Sequence, residues 1–88
     1  MNRADRLKRL RFRASHRGTR EADMMIGGFC ERHCDSWSDA EMNWFEDLLN
    51  EQDVDIMAWG IGTASPPERF DGPMMERFRA INYIKHHE

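Results

Sequence analysis

Apolar residues along this chain recur at a spacing near 3.6, and nowhere do β-branched residues alternate with polar ones over the length of a strand. The pattern predicts helices throughout. The first covers Ala4 to Arg13, with Leu7 and Leu10 facing inward and Arg6, Arg9 and Arg13 forming a cationic outer stripe. Ser15 to Gly18 breaks the period, because glycine tolerates backbone angles that other residues avoid and serine readily makes local turns. A second helix follows from about Thr19 to Cys34, its inner face made by Met25, Ile26, Phe29 and Cys30. Gly27 and Gly28 inside it cost about 1 kcal/mol each in helix propensity, which points to a close approach by another backbone.

Ser38-Asp39-Ala40-Glu41 reads as a capping box, in which the serine hydroxyl and the glutamate carboxylate each satisfy a free amide at a helix start. The third helix begins there, carries Met42, Phe45, Leu48 and Leu49 with Trp44 widening the stripe, and frays near Gln52. Asp53 is placed to cap a short fourth helix bearing Val54, Ile56, Met57 and Trp59 and ending at Gly60. The Gly, Ser and Pro residues up to Gly72 read as a loop. Asp71-Gly72-Pro73 then starts the last helix, since proline fits a first helical turn, and Met74, Phe78, Ile81 and Ile84 face the core. These elements predict an all-α fold: a compact bundle of about five short helices, one domain over residues 1–88, with no internal repeat.

A length of 88 residues is too short for a second folded domain, while seven Met, five Phe and three Trp supply too much apolar bulk for a disordered chain despite 33% charged residues. The longest near-apolar stretch, Met24 to Cys30, is seven residues. A membrane-spanning helix needs about 20, so no membrane insertion is expected. The basic start runs straight into patterned sequence without an apolar signal segment, which makes the cytoplasm the expected location. Cys30 and Cys34 stand one helical turn apart, where side-chain directions do not suit a disulfide, and are expected as reduced thiols.

The net charge of −3 conceals a polarised chain. Residues 1–20 hold eight Arg or Lys against Asp5 alone, a balance of +7, and the remainder carries −10. A clustered cationic segment steers anionic surfaces. That leaves open a small helical protein that binds nucleic acid through its basic first helix, with Phe12 or His16 stacking on a base. No nucleic-acid module accompanies the helix, however, and the acidic remainder would repel an extended polyanion. An apolar face of Leu7 and Leu10 is too small to anchor a membrane helix, so a protein partner is the better expectation.

Enzyme chemistry finds little footing. Cys30-Glu31-Arg32-His33-Cys34 offers three soft ligands in five residues, but a structural zinc site takes four, usually from two separated segments. His86 and His87 are the remaining candidates, at the chain end. Asp53 and Asp55 read as a helix cap and its solvated neighbour rather than as acid and base. No catalytic residue, metal ligand or Gly-rich dinucleotide fingerprint is assigned.

Arg17-Gly18-Thr19-Arg20-Glu21 is a turn into a helix with an acid in its first turn, where Glu21 favours the helix dipole. The segment also resembles the Arg-Gly-x-x-Glu motif of the succinate dehydrogenase assembly factor 2 family, the small flavinylation factors of bacteria and mitochondria. Arg9-Leu10-Arg11-Phe12-Arg13 is similar to the basic-aromatic lead-in of that family, and Asp23, Phe45, Leu48-Leu49, Asp53-x-Asp55 and Trp59 follow in its order. His16, Thr19-Arg20 and Val54 depart from its usual residues. The resemblance implies a small all-helical factor that is not itself an enzyme. It would bind the flavoprotein subunit of succinate dehydrogenase, and in bacteria often of fumarate reductase, and promote covalent attachment of FAD to a histidine of that subunit. FAD is then the group attached to the partner, with no cofactor held stably by the factor. On that reading Arg17, Gly18 and Glu21 form the contact surface: Gly18 permits close backbone approach, Arg17 offers a planar donor fork, and Glu21 pairs with a partner cation or orders Arg17. Arg9, Arg11 and Arg13 add electrostatic steering.

Overall fold

A computed structural model describes residues 2–80, and all the regular structure among them is helical. Asn2 caps the first helix, α1 (Arg3–Ser15), by accepting the Asp5 amide on its side chain. Leu7, Leu10 and Ala14 form its buried face. The second helix, α2, runs over residues 20–36 and changes pitch along its length. It begins as an α turn at Arg20–Ala22, widens into a π turn at Asp23–Gly27, returns to α at Gly28–His33 and tightens to a 3₁₀ turn at Cys34–Ser36. The expected inner face of Met25, Ile26, Phe29 and Cys30 is buried. The close approach expected at the paired glycines is present at Gly27, where a Cβ would lie 3.2 Å from the Cα of Ser15.

The third helix, α3 (Asp39–Leu49), opens on the expected capping box, with both reciprocal bonds made. The fourth, α4 (Asp53–Ile61), differs from expectation at both ends. Gln52 holds the cap position without a side-chain bond and Asp53 lies inside the first turn, its carboxylate used elsewhere. The helix closes on Gly62 at φ +96°, a left-handed C-terminal residue, rather than stopping at Gly60. Gly60 is instead a packing position, since a Cβ there would meet Met25 and lie 2.6 Å from the Phe78 ring. Val54 is 75% exposed, so the inward stripe of α4 consists of Ile56 and Trp59, with Met57 partly buried against the core. The expected loop contains a 3₁₀ turn, Glu68–Phe70, that delivers Phe70 to the core. The last described helix, α5 (Pro73–Arg79), starts at proline as expected and buries Met74, Met75 and Phe78. Ile81, Ile84, His86 and His87 lie outside the described residues.

α1 lies along α2 and touches α3, while α5 packs on α4. The core centres on Phe29, whose ring stands 5.2 Å from that of Phe78, 5.6 Å from Trp37 and 5.9 Å from Phe45. A second aromatic group joins Phe70 to Trp44 and Trp59, with the Trp44 indole N–H donating to the Phe70 carbonyl at 3.3 Å. Offset and edge-on rings of this kind add to the burial energy of the aromatic side chains. The turn between α1 and α2 lies at the surface outside this core.

Candidate partner-binding site

The turn of residues 16–19 is held at both ends by side chains. Ser15 Oγ donates back to the Arg11 carbonyl at 2.8 Å, and His16 Nδ1 lies 2.7 Å from the Phe12 carbonyl with its ring stacked 3.9 Å from that of Phe12. On the far side, Thr19 caps α2 by accepting the Ala22 amide. Asp23 reaches back from the π turn to accept the Arg17 amide at 2.5 Å. Between these ties Gly18 stands at φ +113° with no atom within 4 Å of where a Cβ would be. It is exposed backbone in a region that only glycine enters without strain. Gly18 therefore combines the two properties expected of a close-contact residue: an unusual backbone angle and open space. Beside it a shallow depression is lined by His16, Thr19, Arg20, Asp23 and Met24.

Arg17 does not share that openness. Its side chain is 12% exposed and points back into the molecule. Nε donates to Asp53 Oδ1 at 2.8 Å, and Nη2 lies 3.0 Å from the Leu49 carbonyl and 3.3 Å from that of Glu51. Two nitrogens of the donor fork expected to meet a partner, Nε and Nη2, bond to the α3–α4 connection. Glu21 is exposed in the first turn of α2, and the group that orders Arg17 is Asp53 instead. Nothing local in the sequence pairs Arg17 with Asp53, which is 36 positions away and reads as an ordinary cap.

The cations of the first helix divide in the same manner. Arg3 donates to the Asp35 carbonyl, Arg6 to Asn43 and Glu46, Arg11 to Asp35, and Arg13 to Asn50. Among the described residues Lys8, Arg9 and Arg20 make no ion pair, so of the three arginines expected to steer a partner only Arg9 is uncommitted. Lys8, Arg9, Phe12 and Arg20 are exposed, and Phe12 at 62% is a large apolar surface beside the Gly18 turn.

The thiols offer no comparable site. Cys30 and Cys34 are free and fully buried, and burial, reinforced by Cys34, pushes the Cys30 thiol far above its ordinary range. Burial, with Arg32 and Arg77 nearby, lowers His33. Among the described residues no group of three His, Cys, Asp or Glu is placed to hold a metal ion. No described helix is long and apolar enough to cross a membrane.

On this small helical protein the Gly18 turn is open surface of the kind another macromolecule can meet, not an enclosed pocket. Comparison with known proteins gives the chain a family. The model for Sdh5, "flavinator of succinate dehydrogenase", matches residues 8–82, and the chain belongs to this family. A FAD assembly factor SdhE of Acetobacter pasteurianus is 41% identical over 76 residues, covering 86% of this chain and 70% of that protein. The mitochondrial succinate dehydrogenase assembly factor 2 of Cryptococcus neoformans is 33% identical over 72 residues, 81% of this chain and 41% of its own length. Factor 2-B of Drosophila persimilis is 28% identical over 85 residues, 94% of this chain and 53% of its own length. The chain thus spans about half the length of these mitochondrial relatives and a larger part of the bacterial one.

Proposed function

We propose that this chain is a flavinylation factor: it binds the flavoprotein subunit of succinate dehydrogenase and promotes covalent attachment of FAD to a histidine of that subunit. The observation that carries the reading is the family match over residues 8–82 together with the exposed, glycine-specific turn at Gly18 inside the matched segment. The factor acts as a binding partner and not as the catalyst. By binding one arrangement of the flavoprotein more tightly than others it raises the population in which histidine and flavin meet, and that positioning lowers the barrier to bond formation. FAD belongs to the partner, and this chain holds none stably. Gly18 and Glu21 form the centre of the contact, Arg9 steers, and Arg11 and Arg13 support the helix that carries Arg9. The same surface serves the flavoprotein of fumarate reductase where that enzyme is present, and the site of action is the cytoplasm. The nucleic-acid reading loses ground because Arg3, Arg6, Arg11, Arg13 and Arg17 already bond within the chain.

The test is direct. Purified apo flavoprotein subunit is incubated with FAD, with and without this protein, and covalent flavin is read as fluorescence on a denaturing gel. A strong increase is expected, and its loss in Glu21→Ala would place that residue in the contact. No increase, beside an active control factor, would leave family membership intact but remove this activity.

A further inference from the structure

The commitment of Arg17 to the interior gives it a role different from the residues around it. Its guanidinium bonds to three groups of the segment joining α3 to α4: the Leu49 and Glu51 carbonyls and the Asp53 carboxylate. Its own amide is held by Asp23 across the turn. Arg17 is thus fixed at backbone and side chain, and Gly18 follows it directly. Asp53 is itself only 27% exposed and sits in the first turn of α4, where it also favours the helix dipole.

From this we infer that Arg17 and Asp53 form a clamp that positions the Gly18 turn, so that Asp53 is a positioning residue for partner binding although it lies on another helix. For its binding arm the inference rests on the flavoprotein-binding reading above; its structural arm does not. A charged, half-buried, multiply bonded arginine suits this task. The planar fork reaches the carbonyls of Leu49, the last residue of α3, and of Glu51 just beyond it while Nε reaches the carboxylate, which a lysine cannot do. Removing either partner leaves the other charge partly buried and unpaired, and it frees the side chain that ties the turn to the α3–α4 connection.

Asp53→Ala, Arg17→Ala and the double variant are compared with Asp55→Ala, which removes another acid from the same first turn without touching Arg17. Amide hydrogen exchange at Arg17, Ala22 and Asp23, whose N–H groups close the turn, is measured first and needs no partner. Asp53→Ala is expected to speed exchange there by roughly tenfold or more, with Asp55→Ala leaving it unchanged. Unchanged exchange in Asp53→Ala overturns the clamp. Affinity for the flavoprotein subunit is measured next. Asp53→Ala is expected to weaken it, by no more than Arg17→Ala does, with the double variant no worse than Arg17→Ala alone, because Arg17→Ala already removes the Asp53 bond along with the two carbonyl bonds. If Arg17→Ala weakens binding while Asp53→Ala does not, Arg17 touches the partner directly and the inference fails. A wild-type chain that does not bind the subunit would sink the proposed function instead, and the exchange result would still decide the clamp.

Discussion

Gly18 owes its place to backbone angle and open surroundings together, and the two can be separated by mutation. At φ +113° any L-residue is strained by roughly 1–3 kcal/mol, yet no neighbouring atom resists a side chain there. Gly18→Ala and Gly18→Arg should therefore lose similar stability, read as similar falls in melting temperature, with helical circular dichroism retained in both. Only the arginine adds bulk to the contact, so flavoprotein binding should fall much further in Gly18→Arg. Equal binding losses would show that the backbone conformation, and not close approach, is what the partner reads. The buried thiols give a second prediction at this scale. With burial and Cys34 holding Cys30 protonated at neutral pH, the native protein should react with a disulfide reagent only slowly, and both thiols should titrate at once in denaturant. Rapid reaction of the folded protein would mean that α2 opens locally. Gly18 was legible in the sequence because it closes the break at Ser15 to Gly18 between two helical periods. The inward turn of Arg17 was not, since its partner Asp53 carries an equally good local explanation as a cap and only the packing of α1 beside α3 brings the two together.

Among the helices, those whose ends are written in consecutive residues were read most accurately. The capping box of α3 is contained in Ser38–Glu41, and it forms as read: the Glu41 carboxylate accepts the Ser38 amide at 2.8 Å while its other oxygen takes the Arg77 guanidinium at 2.7 Å. The Ser38 amide, then Arg77, holds the Glu41 carboxyl below its ordinary range. Because the folded value is depressed, this contribution is complete above the unfolded glutamate pKa and is lost as pH falls through the folded one. Glu41→Gln should thus be less stable than wild type at pH 7, and the gap should close as the solution is acidified below the usual carboxylate range. Ser38→Ala should cost about 1 kcal/mol at neutral pH. A Glu41→Gln deficit that persists undiminished in acid would mean that shape, and not charge, accounts for the loss. Features that depend on the rest of the molecule were less legible. The π turn of α2 has no local mark, and Trp37 and Phe70 reach the core from connections too short to show a period. Val54 fits an apolar stripe by composition alone but faces solvent, because the nine residues of α4 carry more apolar side chains than its buried face can use.

For the molecule as a whole, the charge division seen along the chain is largely folded back on itself. Arg6 and Arg13 lie against Glu46, Arg11 against Asp35 and Glu31, and Arg17 against Asp53, so the +7 of the first twenty residues meets part of the −10 beyond it. Exposed pairs of this kind contribute only about 0–1 kcal/mol each and weaken with salt. Their larger consequence is selective: they neutralise cations of α1 that face α2 and α3 and leave Lys8 and Arg9 exposed on α1 with Phe12, and Arg20 exposed beside the Gly18 turn. Long-range attraction to an acidic partner should come from those three. Replacing Lys8, Arg9 and Arg20 by Gln should leave the melting temperature nearly unchanged, slow association with the flavoprotein subunit and flatten the dependence of that rate on ionic strength. Replacing Arg11 and Arg13 should do the reverse, lowering the melting temperature slightly while the salt dependence stays close to wild type. Stopped-flow association at two or three salt concentrations distinguishes the outcomes. If both sets flatten the dependence equally, steering follows total charge, and the internal pairs do not shape the field that the partner meets.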